Sequence, residues 1–158
     1  MTTPKKIKKE EALKKAQRLC AMQEKCTHDM ELKLKDWGCE PENISFVITK
    51  LISEDFISDK RFAQIFVREK FRFNKWGKIK IGYQLKQKGI SASDINTAFT
   101  EINENDYYNL LYHELTKKFK SQKASSQVEH RQKLYRFASS RGFESEIISM
   151  AIDKILVK

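Results

Sequence analysis

The chain has 158 residues, of which 40% are hydrophobic and 33% charged; it carries 5 glycines, 2 prolines and a net charge of +10. That apolar share supports a folded core and excludes wholesale disorder, and the scarcity of helix breakers favours helix. No apolar run approaches the roughly 20 residues a membrane helix needs, and the positive excess points to polyanions or acidic protein faces as partners.

The N-terminal "MTTPKKIKKEEALKKAQRL" is basic and lacks the apolar stretch of a signal peptide, so a soluble, cytoplasmic protein is expected. Helices are expected over 9–25 and 28–37. Cys20, Cys26, His28 and Cys39 offer four possible zinc ligands, but the spacing C-x5-C-x-H-x10-C matches no zinc module, and Cys20 falls on an apolar helical face. Three cysteines also argue against a disulfide framework. No metal and no cofactor are expected. Met22 and Met30, with Met150 further on, read as core fillers, and Trp37 as structural.

Next comes "LKDWGCEPENISFVITKLI" (34–52), whose pattern returns in "LKQKGISASDINTAFTEIN" (85–103) and "ASSRGFESEIISMAIDKIL" (138–156). Aligned on Gly38, Gly89 and Gly142, apolar residues recur at the same offsets: Ile44, Val47, Ile48 and Leu51; Ile95, Ala98, Phe99 and Ile102; Ile148, Ala151, Ile152 and Ile155. These offsets mark one face of a helix, and the spacing of the glycines makes a repeat of about fifty residues. Each glycine ends one helix, where a left-handed residue is often needed, and the next helix follows at once. Pro41 suits a first turn, Ser91 with Asp94 and Ser126 with Glu129 suggest caps, and Glu144 and Glu146 put negative charge at the start of the last helix. In "SEDFISDK" (53–60), Glu54, Asp55 and Asp59 read as cap and first-turn charges rather than as catalytic carboxylates.

Helices are expected over 59–74 and 78–88 in the second unit, and over 104–120 and 127–141 in the third. The fold class is therefore all-α: three tandem three-helix repeats forming an elongated, curved, solenoid-like chain. The repeats are expected at 1–56, with a basic N-terminal arm, at 57–103 and at 104–158. Residues 60–90 hold ten lysines and arginines against one acid, Glu69. Within 59–74, Phe62, Phe66 and Phe73 cluster on one helical face as expected core, while Arg61, Arg68, Arg72 and Lys75 fill an adjoining one. Lys78, Lys80, Lys86 and Lys88 continue the basic surface around the next helix, and Trp76 stands at its edge. Such a tryptophan either contacts a partner or covers a helix joint. Lys117 and Lys118 of the third unit lie outside this expected face.

The middle unit resembles the RecX family of recombination regulators. The resemblance rests on "DKRFAQIFVREKFRFNKWGKIKIGYQLKQKGIS" (59–91): the pair Phe62-Ala63, the dipeptide Val67-Arg68, the basic turn at Gly77, and Lys88-Gly89-Ile90. It departs where the family often has a proline after the turn glycine; Lys78 and Ile79 stand there instead. The resemblance implies three three-helix units and a non-enzymatic protein that binds the RecA recombinase filament on DNA and modulates it, usually by inhibition, in recombination and repair; some members also bind DNA directly, and a monomer is expected. Arg61, Arg68, Arg72, Lys75, Trp76, Lys78, Lys80, Lys86 and Lys88 are the expected RecA- or DNA-binding residues. The alternative is a general nucleic-acid-binding helical module without a dedicated protein partner. No phosphate loop, H-E-x-x-H or G-x-S-x-G motif is present, and His28, His113 and His130 are scattered, so no catalysis is expected.

Overall fold

The computed structural model describes residues 6–157, and the first five residues of the basic N-terminal arm lie outside them. Among the described residues the chain is wholly helical: α1 (Lys9–Met22), α2 (Thr27–Asp36), α3 (Pro41–Ser53), α4 (Asp59–Arg72), α5 (Lys78–Gln87), α6 (Ala92–Phe99), α7 (Glu104–Ser121), α8 (Gln127–Ser140) and α9 (Ser145–Leu156). Helices pack chiefly within threes: α1 with α2 and α3, α4 with α5 and α6, α7 with α8 and α9.

The repeat is carried by one local device used three times. Gly38, Gly89 and Gly142 have φ of +79°, +73° and +92°, a region open mainly to glycine. Behind each, the glycine N–H donates three residues back and the following N–H five residues back: Gly38 to Lys35 and Cys39 to Leu34, Gly89 to Lys86 and Ile90 to Leu85, Gly142 to Ser139 and Phe143 to Ala138. This closes the orphan carbonyls of α2, α5 and α8 and aims the next residue inward. Cys39, Ile90 and Phe143 are accordingly buried. Val47, Ala98 and Ala151, at one offset from the glycines, are all completely buried. Phe99 is only half-buried, and its ring lies over Gly82 of α5.

Caps start most of the helices. Ser58, Ser91 and Ser126 accept from the N–H groups of Arg61, Asp94 and Glu129, and Asn103 from those of Asn105 and Asp106. The Cys26 sulfur does the same for Asp29 at 3.5 Å. The reciprocal half of the Ser126 box is displaced: the Glu129 carboxylate accepts from Ser125, at 3.0 Å from its N–H and 2.6 Å from its hydroxyl. Those bonds, with Lys133, hold its pKa down at about 2.

The interior forms two clusters. One belongs to the first unit: Ala12, Ala16, Met30, Leu34, Cys39, Ile44, Val47, Ile48, Leu51 and Ile57. The second runs unbroken through units two and three, from Ala63 and Val67 to Ile148 and Ile152, and receives Cys26 from the first unit. Several expected core residues lie elsewhere. On α4 the inward positions are taken by Ala63 and Val67, whose small side chains let α6 approach; Phe62 and Phe66 flank them half-buried, stacked at 5.8 Å. Phe73, at the α4 C-cap, is 77% exposed. Met30 is core, but Met22 ends α1 and Met150 faces away from Ile148 and Ile152, so both are exposed. α1 stops at Met22, three residues short of expectation, because Gln23 turns extended (φ −156°, ψ 140°) and frees Cys26 to cap α2.

Candidate basic interface

The cations of the middle unit divide by what they touch. Arg61 is committed to the joint with the first unit. Its Nε lies 2.5 Å from Glu24 Oε1, its Nη1 donates to Asp55 Oδ1 at 3.2 Å, and its Nη2 to the carbonyls of Asp55 and Phe56 at 3.2 and 3.3 Å. Asp55 meets it from a left-handed position, φ +61°. Lys88 does similar work: its ammonium sits 2.9 Å from Asp29 and over the Phe62 ring. The Thr27 N–H closes the same joint on Asp59 Oδ1 at 2.8 Å. Asp59 stands in the first turn of α4 as expected, but it and Asp55 also serve the joint, a role the cap reading did not include. With one-third or less of their side chains exposed, Arg61 and Lys88 belong to this seam and not to one open basic face, contrary to the helical-wheel expectation. A wheel reports which way a residue leaves its own helix, not what the next loop places there.

Lys78 and Lys80 stand at the joint with the third unit. There the α4–α5 turn meets the α8–α9 turn backbone to backbone. The Gly77 N–H donates to the Arg141 carbonyl at 2.7 Å, and the Ile79 N–H to that of Gly142 at 2.9 Å. A methyl group on Gly77 would lie 2.5 Å from the Phe143 nitrogen, and one on Gly142 would lie 2.6 Å from that of Lys80. Two facing glycines are therefore what allows the contact. Tyr107 locks it from the side. Its hydroxyl accepts from the Lys78 N–H at 2.9 Å and donates to the Glu144 carboxylate, while its ring lies against Phe71 and Phe143. Burial first, then the bond to Glu144, pushes the phenol well above its ordinary range.

Trp76 is half-buried between two ammonium groups, Lys80 at 4.5 Å and Lys70 at 5.1 Å from its ring, and its backbone N–H donates to the Lys70 carbonyl at 3.1 Å. Such contacts hold both lysines over an aromatic face without a carboxylate. Of the two readings of Trp76, this favours the joint. The remaining cations are open. Arg68 keeps about half its side chain in solvent, with only a loose pair to Glu101 at 3.7 Å. Arg72 and Lys86 are exposed. Lys75, left-handed at φ +59°, donates to the Arg72 carbonyl at 2.7 Å.

Sequence reasoning missed Lys70 and Arg141. Lys70 lies opposite the arginine stripe on α4, and only its spacing of four from Phe66 hinted at a role. Arg141 comes from the third unit and had no sequence signal; it stacks over Phe137 at 4.8 Å and donates to the Asn74 carbonyl at 3.4 Å, beside the basic turn. The four possible zinc ligands weighed and set aside in the sequence are not gathered: Cys26 is buried in the second cluster, with burial pushing its thiol up to about 11, and Cys39 in the first. Among the described residues no three histidines, cysteines or acids stand close enough to share an ion.

Fold and site together define an all-α protein of tandem three-helix units whose middle unit is strongly cationic and clamped at both ends. Known proteins narrow this further. The family model described as RecX, second three-helix domain, matches residues 58–98, and that for the third three-helix domain matches residues 104–152. The regulatory protein RecX of Prosthecochloris aestuarii is 30% identical over 145 residues, spanning 92% of this chain and 93% of that protein. The chain belongs to the RecX family. The regulatory proteins RecX of Clostridium acetobutylicum and Lactobacillus johnsonii are 28% and 26% identical, and the chain spans 62% and 57% of their lengths. A crystal structure of regulatory protein RecX superposes with a TM-score of 0.81 at 25% identity, over 91% of this chain and 74% of that one. That of RecX from Lactobacillus salivarius shares the fold, with a TM-score of 0.80 at 22% identity over 95% and 97% of the two chains.

Proposed function

We propose that this protein is a non-enzymatic regulator that binds the RecA–DNA filament through its middle unit and restrains recombinase activity in recombination and DNA repair. The observation that carries the reading is the charge block of residues 60–90, ten cations against Glu69, borne by a unit fixed at both ends. A cationic surface on a clamped unit suits an acidic partner, because the backbone that carries the charges needs no further ordering on binding and only their side chains do. Arg68, Arg72, Lys75 and Lys86 are the residues proposed to meet it. Arg61 and Lys88 act indirectly, by setting the angle between the first unit and the second. The names of the relatives support a regulatory role, and the tandem units suit a helical groove.

The test is DNA-stimulated ATP hydrolysis by RecA with and without this protein. Hydrolysis should slow as the protein is added and recover when salt screens the contact. An unchanged rate at saturating protein contradicts the proposal.

A further inference from the structure

The third unit carries a second cationic feature that the charge block of the middle unit conceals. Residues 117–141 hold eight lysines and arginines and one acid, Glu129. The structure folds four of them around one concavity. Lys118, Gln122, Lys123, Lys133, Arg136 and Phe137 line an open bowl of about 600 Å³ between the end of α7, the following loop and α8. No carboxylate lines it. Glu129 pairs with Lys133 at 3.2 Å, and Lys133 also donates to the Lys123 carbonyl at 2.6 Å, which fixes that wall. The floor is Phe137, with the Lys118 ammonium 5.7 Å from its ring and the Arg141 guanidinium 4.8 Å from it. The Lys123 and Arg136 side chains are exposed and enter no ion pair among the described residues.

The bowl is continuous with the basic turn of the middle unit. Arg141 joins them, with its guanidinium on Phe137 and on the Asn74 carbonyl, and its own carbonyl bonded to Gly77. Of the four cations only Lys133 has an acid partner, Glu129, so the bowl keeps a net positive field that attracts a polyanion. The partner must therefore present closely spaced negative charge, and a row of phosphates does this while leaving the flat Phe137 floor to sugar or base.

We propose that the third-unit bowl binds the sugar–phosphate backbone of a nucleic acid directly, in line with the basic turn at Lys75. This goes beyond the regulatory reading above and needs no recombinase. Lys118 is thereby part of a site, whereas sequence reasoning set it outside one.

The test is fluorescence anisotropy of the whole protein with a labelled single strand, its duplex, and the same strand built with neutral methylphosphonate linkages, at 50–200 mM salt. The Lys123→Glu/Arg136→Glu variant should bind the natural strand or duplex about tenfold or more weakly, and its log–log salt slope should fall by about two, one per lost phosphate contact. The charge-matched Lys14→Glu/Lys33→Glu variant, on exposed positions of the first unit, should keep the parent slope and most of the affinity; melting curves confirm that both variants fold. The neutral strand should bind weakly to the parent. Equal losses in the two variants, undiminished binding of the neutral strand, or no binding by the parent would each overturn the proposal. None of these results bears on the effect on RecA, which is measured separately.

Discussion

Gly77→Ala isolates the joint between the middle and third units. The φ of Gly77 is −83°, so alanine is free of backbone strain and the whole effect is steric. Its methyl group would sit inside contact distance of Gly142 and Phe143 backbone atoms, which cannot swing aside as a side chain can. Relief requires the two turns to part. That would cost the Gly77–Arg141 and Ile79–Gly142 hydrogen bonds, each worth about 0.5–1.5 kcal/mol net, and any residual overpacking adds about 1–3 kcal/mol. A loss of about 2–6 kcal/mol follows, or a fall of about 4–24 °C in Tm for a chain of this size. Gly89→Ala is the control. Gly89 is left-handed, but a methyl group there would meet nothing within 4 Å, so only the conformational penalty of about 1–2 kcal/mol applies. Urea unfolding of the two variants gives the comparison. If Gly77→Ala unfolds within about 0.5 kcal/mol of the parent, the glycine pair is not what closes the joint.

Tyr107→Phe keeps the ring stack and removes the hydroxyl shared by Lys78 and Glu144. It should cost about 1–3 kcal/mol at neutral pH, because two polar partners lose a bond in a buried place. The phenol's pKa is raised in the folded state, so its contribution is complete below its ordinary value near 10 and fades as pH rises beyond it. Denaturant melts from pH 7 to 11 should show the parent losing its advantage over the variant above about pH 10; a constant gap would contradict the assignment. Arg61→Lys should destabilise by about 1–3 kcal/mol, since an ammonium cannot reproduce four bonds to Glu24, Asp55 and Phe56, whereas Arg68→Lys should change stability by under about 0.5 kcal/mol. Equal chemical-denaturation midpoints for the two would remove Arg61 from the joint.

The repeat was legible in the sequence because its signal is local. Glycine at a left-handed position and apolar residues at fixed offsets both follow from the geometry of a single chain segment, and Val47, Ala98 and Ala151 are buried alike. The inward residue just after each glycine went unread because Cys39, Ile90 and Phe143 share no side-chain type. The α4 core was misjudged for a different reason. Hydrophobicity favours phenylalanine, but close helix approach favours Ala63 and Val67, and the spacing between helices is not written in either segment alone. The site is where reading along one helix falls shortest. Arg61, Lys88 and Lys80 look as free as Arg68 and Lys86 in the sequence, yet Arg61 is held by the loops at Glu24 and Asp55–Phe56, Lys88 by Asp29 of α2, and Lys80 by the Trp76 ring of its own unit. Arg141's place beside the basic turn depends on a contact across more than sixty residues of sequence, from Asn74 to Arg141, while the bowl forms only once α7 folds against α8.

The central claim, that open cations of the middle unit meet the RecA–DNA filament, is tested most directly by filament co-sedimentation of two charge-matched variants. Arg68→Glu/Arg72→Glu alters exposed residues of α4, and Lys14→Glu/Lys33→Glu alters exposed residues of the first unit by the same net charge. The account predicts that the first pair weakens filament binding by about tenfold or more through lost attraction and added repulsion, while the second stays close to the parent. Equal weakening by both pairs would mean that only total charge matters and would contradict the assignment of the middle unit.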